Sequence, residues 1–195
     1  MSAQRRMDMA RAVDVVHKGR RDQDVVVSSM GSAREWMKLG PLHERDFVMV
    51  PSAMGHATSL GLGIALAQRE RRIIVLSGDG SLLMNLGTLV TIASLAPFNL
   101  RVVVFVNDVY EVTGGQPVPA PSAGVDYAGI ARSCGWSSVA CIVDLEYWQS
   151  HFAELMEMEG PTIMLVEVAP VVGAGGPKSP GNAAERAKRF REALR

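Results

Sequence analysis

Asp79 and Asn107 are the two residues of this sequence best placed to do chemistry together. Each ends an apolar, β-branched run: residues 73–76 lead into Gly78-Asp79-Gly80, and residues 101–106 lead into Asn107-Asp108. A carboxylate and a side-chain amide are hard oxygen donors that suit Mg²⁺, whose remaining octahedral positions normally go to substrate phosphates and water. Gly78 and Gly80 would let backbone approach those phosphates. Ser81 is expected to cap the helix that follows, presenting its hydroxyl and N–H at a positive dipole end. Gly-Asp-Gly alone is more often an ordinary turn; its pairing with a strand-terminal Asn gives it weight.

Two strand ends separated by residues 81–106 converge only if the strands run parallel in one sheet, at the edge where open α/β sheets bind ligands. Residues 81–100 carry no charge, and Leu82, Leu83, Leu86, Leu89, Val90 and Ala93 recur at helical spacing, so the unit predicts strand, loop, helix, strand. The rest of the chain alternates in the same way. Helices are expected over 7–18, after a loop within 31–36, after 52–57, from Tyr127 to Cys134, over 145–158 and in a tail at 182–194. Strands are expected at 25–29, 47–50, 138–143 and 162–168. This pattern predicts an α/β fold: a doubly wound, largely parallel sheet flanked by helices, one domain over 1–195. The helix after 52–57 has two stripes of small residues, Gly55, Ser59, Gly63, Ala67 and Ala57, Gly61, Ala65. Glycine destabilises a helix interior by roughly 1 kcal/mol relative to alanine, so either the sheet or another subunit must approach closely there.

With 195 residues, 48% of them hydrophobic, and 20 Lys+Arg against 20 Asp+Glu, the chain suits one well-filled domain and shows no basic excess for nucleic acid. Cys134 and Cys141 fit neither a disulfide framework nor a zinc site, and both are expected to be buried thiols in a reducing, cytoplasmic setting. Residues 1–21 lack the apolar core of a signal peptide. Residues 81–100 could span a bilayer by length, but Asn85, Gly87, Thr88, Thr91, Ser94 and Pro97 dilute them, and no membrane partner is expected.

The Gly-Asp-Gly and Asn pairing, together with GDGSLLMNLGTL and VYEVTGGQP, resembles the diphosphate-binding (PP-type) domain of thiamine diphosphate enzymes. Within that family it looks most like the 2-oxo acid decarboxylases of sulfopyruvate and phosphonopyruvate, over roughly residues 24–168. The resemblance implies thiamine diphosphate and Mg²⁺ as cofactors, with Asp79, Asn107 and the backbone carbonyl of Val109 on the metal. It places Gly78, Gly80, Ser81, Tyr110 and Glu111 beside the diphosphate. It gives the aminopyrimidine to Ser52, Met54 and Gly55, with Met54 wedged beneath the cofactor, although many relatives have glycine where this chain has Ser52. Asp108 also departs from the Asn or Gly common in relatives. His56 and Arg34 are candidate contacts to substrate, Arg34 being otherwise a solvated or ion-paired helix arginine. Gly114 and Gly115 before Gln116 suggest either a mobile loop or a turn. Glu167, near a strand end, reads as a structural partner rather than a catalytic acid.

By the same resemblance, the length holds only the diphosphate-binding half of an active site. A separate pyrimidine-binding (alpha) subunit would supply the glutamate that activates the cofactor, in a hetero-oligomer with a pair of active sites. The implied reaction is decarboxylation of a small 2-oxo acid to CO₂ and an aldehyde. A carboligase subunit of the acyloin- or acetolactate-synthase kind and a non-catalytic scaffold subunit are the alternatives. An oxidoreductase β subunit shares the Gly-Asp-Gly logic, but two cysteines cannot hold a four-thiolate cluster.

Overall fold

Strands buried on both faces read as unbroken apolar runs, which is the case for the central strands of this chain. The computed structural model describes residues 6–195. Its elements, in order, are α1 (Met9–Gly19), β1 (Val25–Ser29), α2 (Met30–Trp36), β2 (Asp46–Met49), α3 (Ala57–Ala67), β3 (Ile73–Gly78), α4 (Asp79–Leu83), α5 (Gly87–Leu95) and β4 (Leu100–Val106). There follow β5 (Val109–Tyr110), β6 (Gln116–Pro117), α6 (Ala120–Ala123), α7 (Tyr127–Ser133), β7 (Ser138–Ile142), α8 (Leu145–Glu157), β8 (Thr162–Glu167) and α9 (Ala183–Ala193). Six strands pair in parallel in the order β2-β1-β3-β4-β8-β7. The fold is doubly wound α/β, as the alternation predicts.

Although the strands lack an alternating pattern, their side chains still divide by parity. Val25, Val27, Ile73, Val75, Val102, Val104 and Ile163 pack with α3, α5 and α7 on one face. Val26, Ile74, Leu76, Val103, Phe105, Met164 and Val166 pack with α1, α2 and α8 on the other. Gly78 is in register with Phe105, so Asp79 and Asn107 leave the sheet within a residue of one another at the same edge. β1 connects outward to β2 and its other neighbour is β3, so the chain reverses direction across the sheet between β1 and β3. The segments after β1 and β3 there pass to opposite faces and leave a crevice.

Five expectations change. No loop within 31–36 precedes the second helix, because α2 starts at Met30, directly after β1, and spans those residues. The single helix over 81–100 is two, because Met84, Asn85 and Leu86 form a turn between α4 and α5. At the break Asn85 donates its side-chain amide to the Gly55 carbonyl (3.1 Å) and Ser59 Oγ (3.2 Å), tying the turn to the start of α3. Ser81 is not a cap: α4 begins at Asp79 with Gly78 at its N-cap, and Ser81 lies inside the first turn. Residues 109–117 form a short antiparallel hairpin, β5 with β6. Finally, Cys134 is half-buried and Cys141 exposed, the latter on β7, an edge strand with one side unpaired. No helix of the described residues is long and apolar enough to cross a membrane.

The small-residue stripes have separate roles. A Cβ on Gly61 would lie 2.2 Å from Val75 Cγ2, so Ala57, Gly61 and Ala65 bring α3 down onto the sheet. Gly63 has nothing among the described residues within 4 Å of the same position; in its stripe Gly63 and Ala67 are exposed, whereas Gly55 and Ser59 pack against Met84, Asn85 and Thr88.

Candidate functional site

The crevice is a cleft whose free space, open mouth included, is about 500 Å³. It is bordered by Gly31 and Ser32 from α2, by Gly78, Asp79, Gly80 and Ser81 after β3, by Asn107 after β4 and by Val109, Tyr110 and Glu111 of the hairpin. Met54 and Met84 border it from the α3 side. Nine of the sequence-derived candidates therefore meet in one place. Ser52, Gly55 and His56 do not line the cleft itself.

Asp79 is 1% exposed. Its Oδ1 accepts from the Gly80 N–H (2.9 Å) and its Oδ2 from the Asp108 N–H (2.8 Å). Among the described residues no Lys or Arg pairs with it. Burial pushes its carboxyl up to about 6, with the Asp108 carboxylate adding to the rise and the two N–H donors opposing it. Each oxygen retains a lone pair. The Asp108 carboxylate itself does not line the cleft and pairs with Arg6.

Asn107 Oδ1 accepts from the Val109 N–H (3.1 Å), while Nδ2 donates to Glu111 Oε2 (3.1 Å). In the hairpin the Asp108 carbonyl accepts from Val118 N–H and the Tyr110 carbonyl from Gly115 N–H. Bonded and non-bonded positions alternate along an antiparallel ladder, so the Val109 carbonyl between them points away from β6. A carboxylate, an amide oxygen and a backbone carbonyl at one rim are a hard oxygen set that fits Mg²⁺.

Gly80 is also held to glycine by its neighbour Tyr110. A Cβ there would lie 2.7 Å from Tyr110 Cδ1, so the missing side chain admits the tyrosine ring. Gly78 is unobstructed, its closest such contact being the Phe105 carbonyl at 3.9 Å. Met30 and Asp108, which flank the cleft, hold φ of +54° and +63°. Left-handed backbone at non-glycine residues is strained and concentrates at functional sites.

Gly55 turns at φ +83°, packed against Met84, Asn85 and the Ser81 carbonyl. That turn presents Met54 at the mouth, 42% exposed despite being apolar. His56 is exposed, its Nδ1 3.0 Å from the Met54 carbonyl. Among the described residues, Ser52 Oγ is buried without a protein partner. Arg34 is ion-paired, donating to Glu35 Oε1 (2.7 Å) and Glu111 Oε1 (2.6 Å) and to the Gly175 carbonyl (3.2 Å). Burial alone would lower its pKa, but Glu111 and Glu35 outweigh it and the net shift is upward. Glu111 borders the cleft, yet both its oxygens already accept from protein donors, the second also from the Val171 N–H (2.8 Å). Met84 and Asn85 are site neighbours that helical periodicity concealed; the one signal was a polar residue within an uncharged apolar stretch.

The family described as thiamine pyrophosphate enzyme, C-terminal TPP binding domain, matches residues 29–168. A phosphonopyruvate decarboxylase of Streptomyces viridochromogenes is 39% identical over 175 residues, covering 88% of this chain and 42% of that protein. A sulfopyruvate decarboxylase subunit beta of Methanothermobacter thermautotrophicus is 44% identical over 126 residues, covering 65% of this chain and 63% of that one. The chain thus spans less than half of the first relative and somewhat under two thirds of the second. Among solved structures, a thiamine diphosphate-dependent 4-hydroxybenzoylformate decarboxylase of Rhodococcus jostii superposes with a TM-score of 0.71 at 20% identity, over 87% of this chain and 34% of that one. That likeness concerns the fold. With the matched region enclosing both strand ends and the cleft between them, the chain belongs to the thiamine pyrophosphate enzymes, as a bearer of their C-terminal TPP binding domain.

Proposed function

We propose that this chain is the metal- and diphosphate-binding half of a two-chain, thiamine diphosphate-dependent decarboxylase of a small 2-oxo acid of the sulfopyruvate or phosphonopyruvate kind. Asp79 carries the reading. A carboxylate buried to 1% exposure, raised to about 6 and lacking a basic partner among the described residues is an anion waiting for a cation. Asn107 and the Val109 carbonyl stand at the same rim to complete the set.

In this reading Asp79, Asn107 Oδ1 and the Val109 carbonyl hold Mg²⁺. Gly78, Gly80, Ser81 and Tyr110 border the diphosphate. Ser52, Met54 and Gly55 carry the aminopyrimidine, Met54 beneath it. When bound, the cofactor supplies the nucleophilic carbon and the electron sink for loss of CO₂. The chain's own part is to fix the metal, to exclude water with Met54, Met84 and Tyr110, and to offer His56 beside Met54 as a contact to substrate. A glutamate on a separate pyrimidine-binding chain completes the site. Met54, Met84, Leu66, Val90 and Leu95 are apolar yet 42–56% exposed, at the cleft mouth and on α3 and α5, which supports a partner covering that side.

Tagged chain recovered from its host, with bound thiamine diphosphate assayed, tests this. A second chain bringing the cofactor, and CO₂ release from sulfopyruvate or phosphonopyruvate, are the expected results. Asp79→Ala and Asn107→Ala should each abolish Mg²⁺-dependent cofactor retention in a chain that still folds. Normal activity in either variant overturns the metal assignment, and full turnover by the isolated chain overturns the two-chain arrangement.

A further inference from the structure

Glu111 is no ligand in the set above, yet it is among the most engaged side chains at the cleft, 7% exposed. Oε1 accepts from Arg34 of α2 at 2.6 Å, and Oε2 accepts from Asn107 Nδ2 at 3.1 Å and from the Val171 N–H, beyond β8, at 2.8 Å. The consequence falls on Asn107. A carboxylate only accepts and the Val109 N–H only donates, so just one orientation of the amide satisfies both neighbours. Turned over, the amide would set oxygen against carboxylate and NH₂ against N–H.

We propose that Glu111 is a positioning residue that fixes the Asn107 amide with its oxygen, not its nitrogen, available to the metal. Arg34 holds Glu111 in that place and neutralises it, so that a carboxylate at the rim does not oppose a diphosphate. The proposal rests on the Mg²⁺ reading of the cleft. Removing partners that orient metal ligands typically lowers metal affinity by ~10–100-fold. The competing account is that Glu111 merely anchors the segment at Val171.

Calorimetric titration of the chain, together with its co-recovered partner, with Mg²⁺ at saturating thiamine diphosphate separates the two. The set is wild type, Glu111→Gln, Asn107→Asp and the double variant. Glu111→Gln, which cannot serve every donor around it, should weaken Mg²⁺ about tenfold or more. In Asn107→Asp two carboxylates face each other, and there Glu111→Gln supplies the missing donor and should raise affinity above that of Asn107→Asp alone. Opposite signs in the two backgrounds are therefore expected. An anchor would lower thermal stability in both backgrounds without that reversal. Equal losses in both, or an unchanged Glu111→Gln beside a wild type that binds, overturns the positioning role and leaves the metal site standing. A wild type without Mg²⁺-dependent binding overturns the metal reading and this proposal with it.

Discussion

At the scale of the residue, Asp79 links function to stability with a definite sign. Its folded pKa of about 6 exceeds the ordinary 3.8, so the buried group prefers its proton. Below pH 4 both folded and unfolded chains hold it and nothing is lost. Between pH 4 and 6 the unfolded chain releases it first, and stability falls as pH rises; above 6 the whole penalty, about 3 kcal/mol for two units, is present. Asp79→Asn does not titrate. Without Mg²⁺, its stability relative to wild type should therefore rise by about 3 kcal/mol from pH 3 to pH 8, as read by urea unfolding. A difference independent of pH would show that burial does not raise this carboxyl. Mg²⁺ with thiamine diphosphate should stabilise wild type but not the variant, and less so as the proton competes below pH 6. Asp79 and Asn107 were legible in the sequence because each ends an apolar run, a purely local signal. The Arg34–Glu111 pair was not, because it joins residues 77 positions apart on elements whose approach only the fold decides.

At the scale of the element, α3 contains two glycines that look alike in sequence and differ in space. Gly61→Ala places its methyl 2.2 Å from Val75 Cγ2 and must push helix from sheet, costing about 1–3 kcal/mol. Gly63→Ala meets nothing within 4 Å and should stabilise the isolated chain by about 0.5–1 kcal/mol through helix propensity. Denaturant melts of the two variants check the pair, and equal effects would mean that α3 does not dock as described. Periodicity revealed that some close approach was needed but not which stripe made it, since both recur every four residues. The same limit hid the break in residues 81–100. Apolar spacing runs through Met84–Leu86 without a fault, and the contacts at the break, Asn85 bonding to Gly55 and Ser59, reach 26 to 30 residues back.

At the scale of the molecule, the doubly wound, largely parallel sheet followed from alternation, whereas the strand order and the path of the C-terminal segment did not. That segment passes the cleft at Val171 and Gly175 and then docks α9 on the edge strand β2. There Arg186 donates to the carbonyls of Val48 and Val50, and Phe190 meets Phe47 at 5.0 Å. An edge covered by a helix is closed to further strands, so association cannot extend the sheet at β2, and the unpaired edge of β7 lies at the opposite end of the sheet. The outward sides of α3 and α5 carry exposed apolar residues, Val90 at 56%, Leu95 at 50% and Leu66 at 44%, and Met84 and Met54 are exposed at the cleft. A partner seated there would reach the open mouth of the site while burying apolar surface that the isolated chain leaves wet. Val90→Lys tests this, because an exposed substitution of this kind changes the isolated chain by about 0.5 kcal/mol or less. Its melting should match wild type, while recovery of a second chain and of thiamine diphosphate with the tagged protein should drop about tenfold or more, the equivalent of roughly 1.4 kcal/mol. Undiminished recovery of both would place the partner on some face other than α3 and α5.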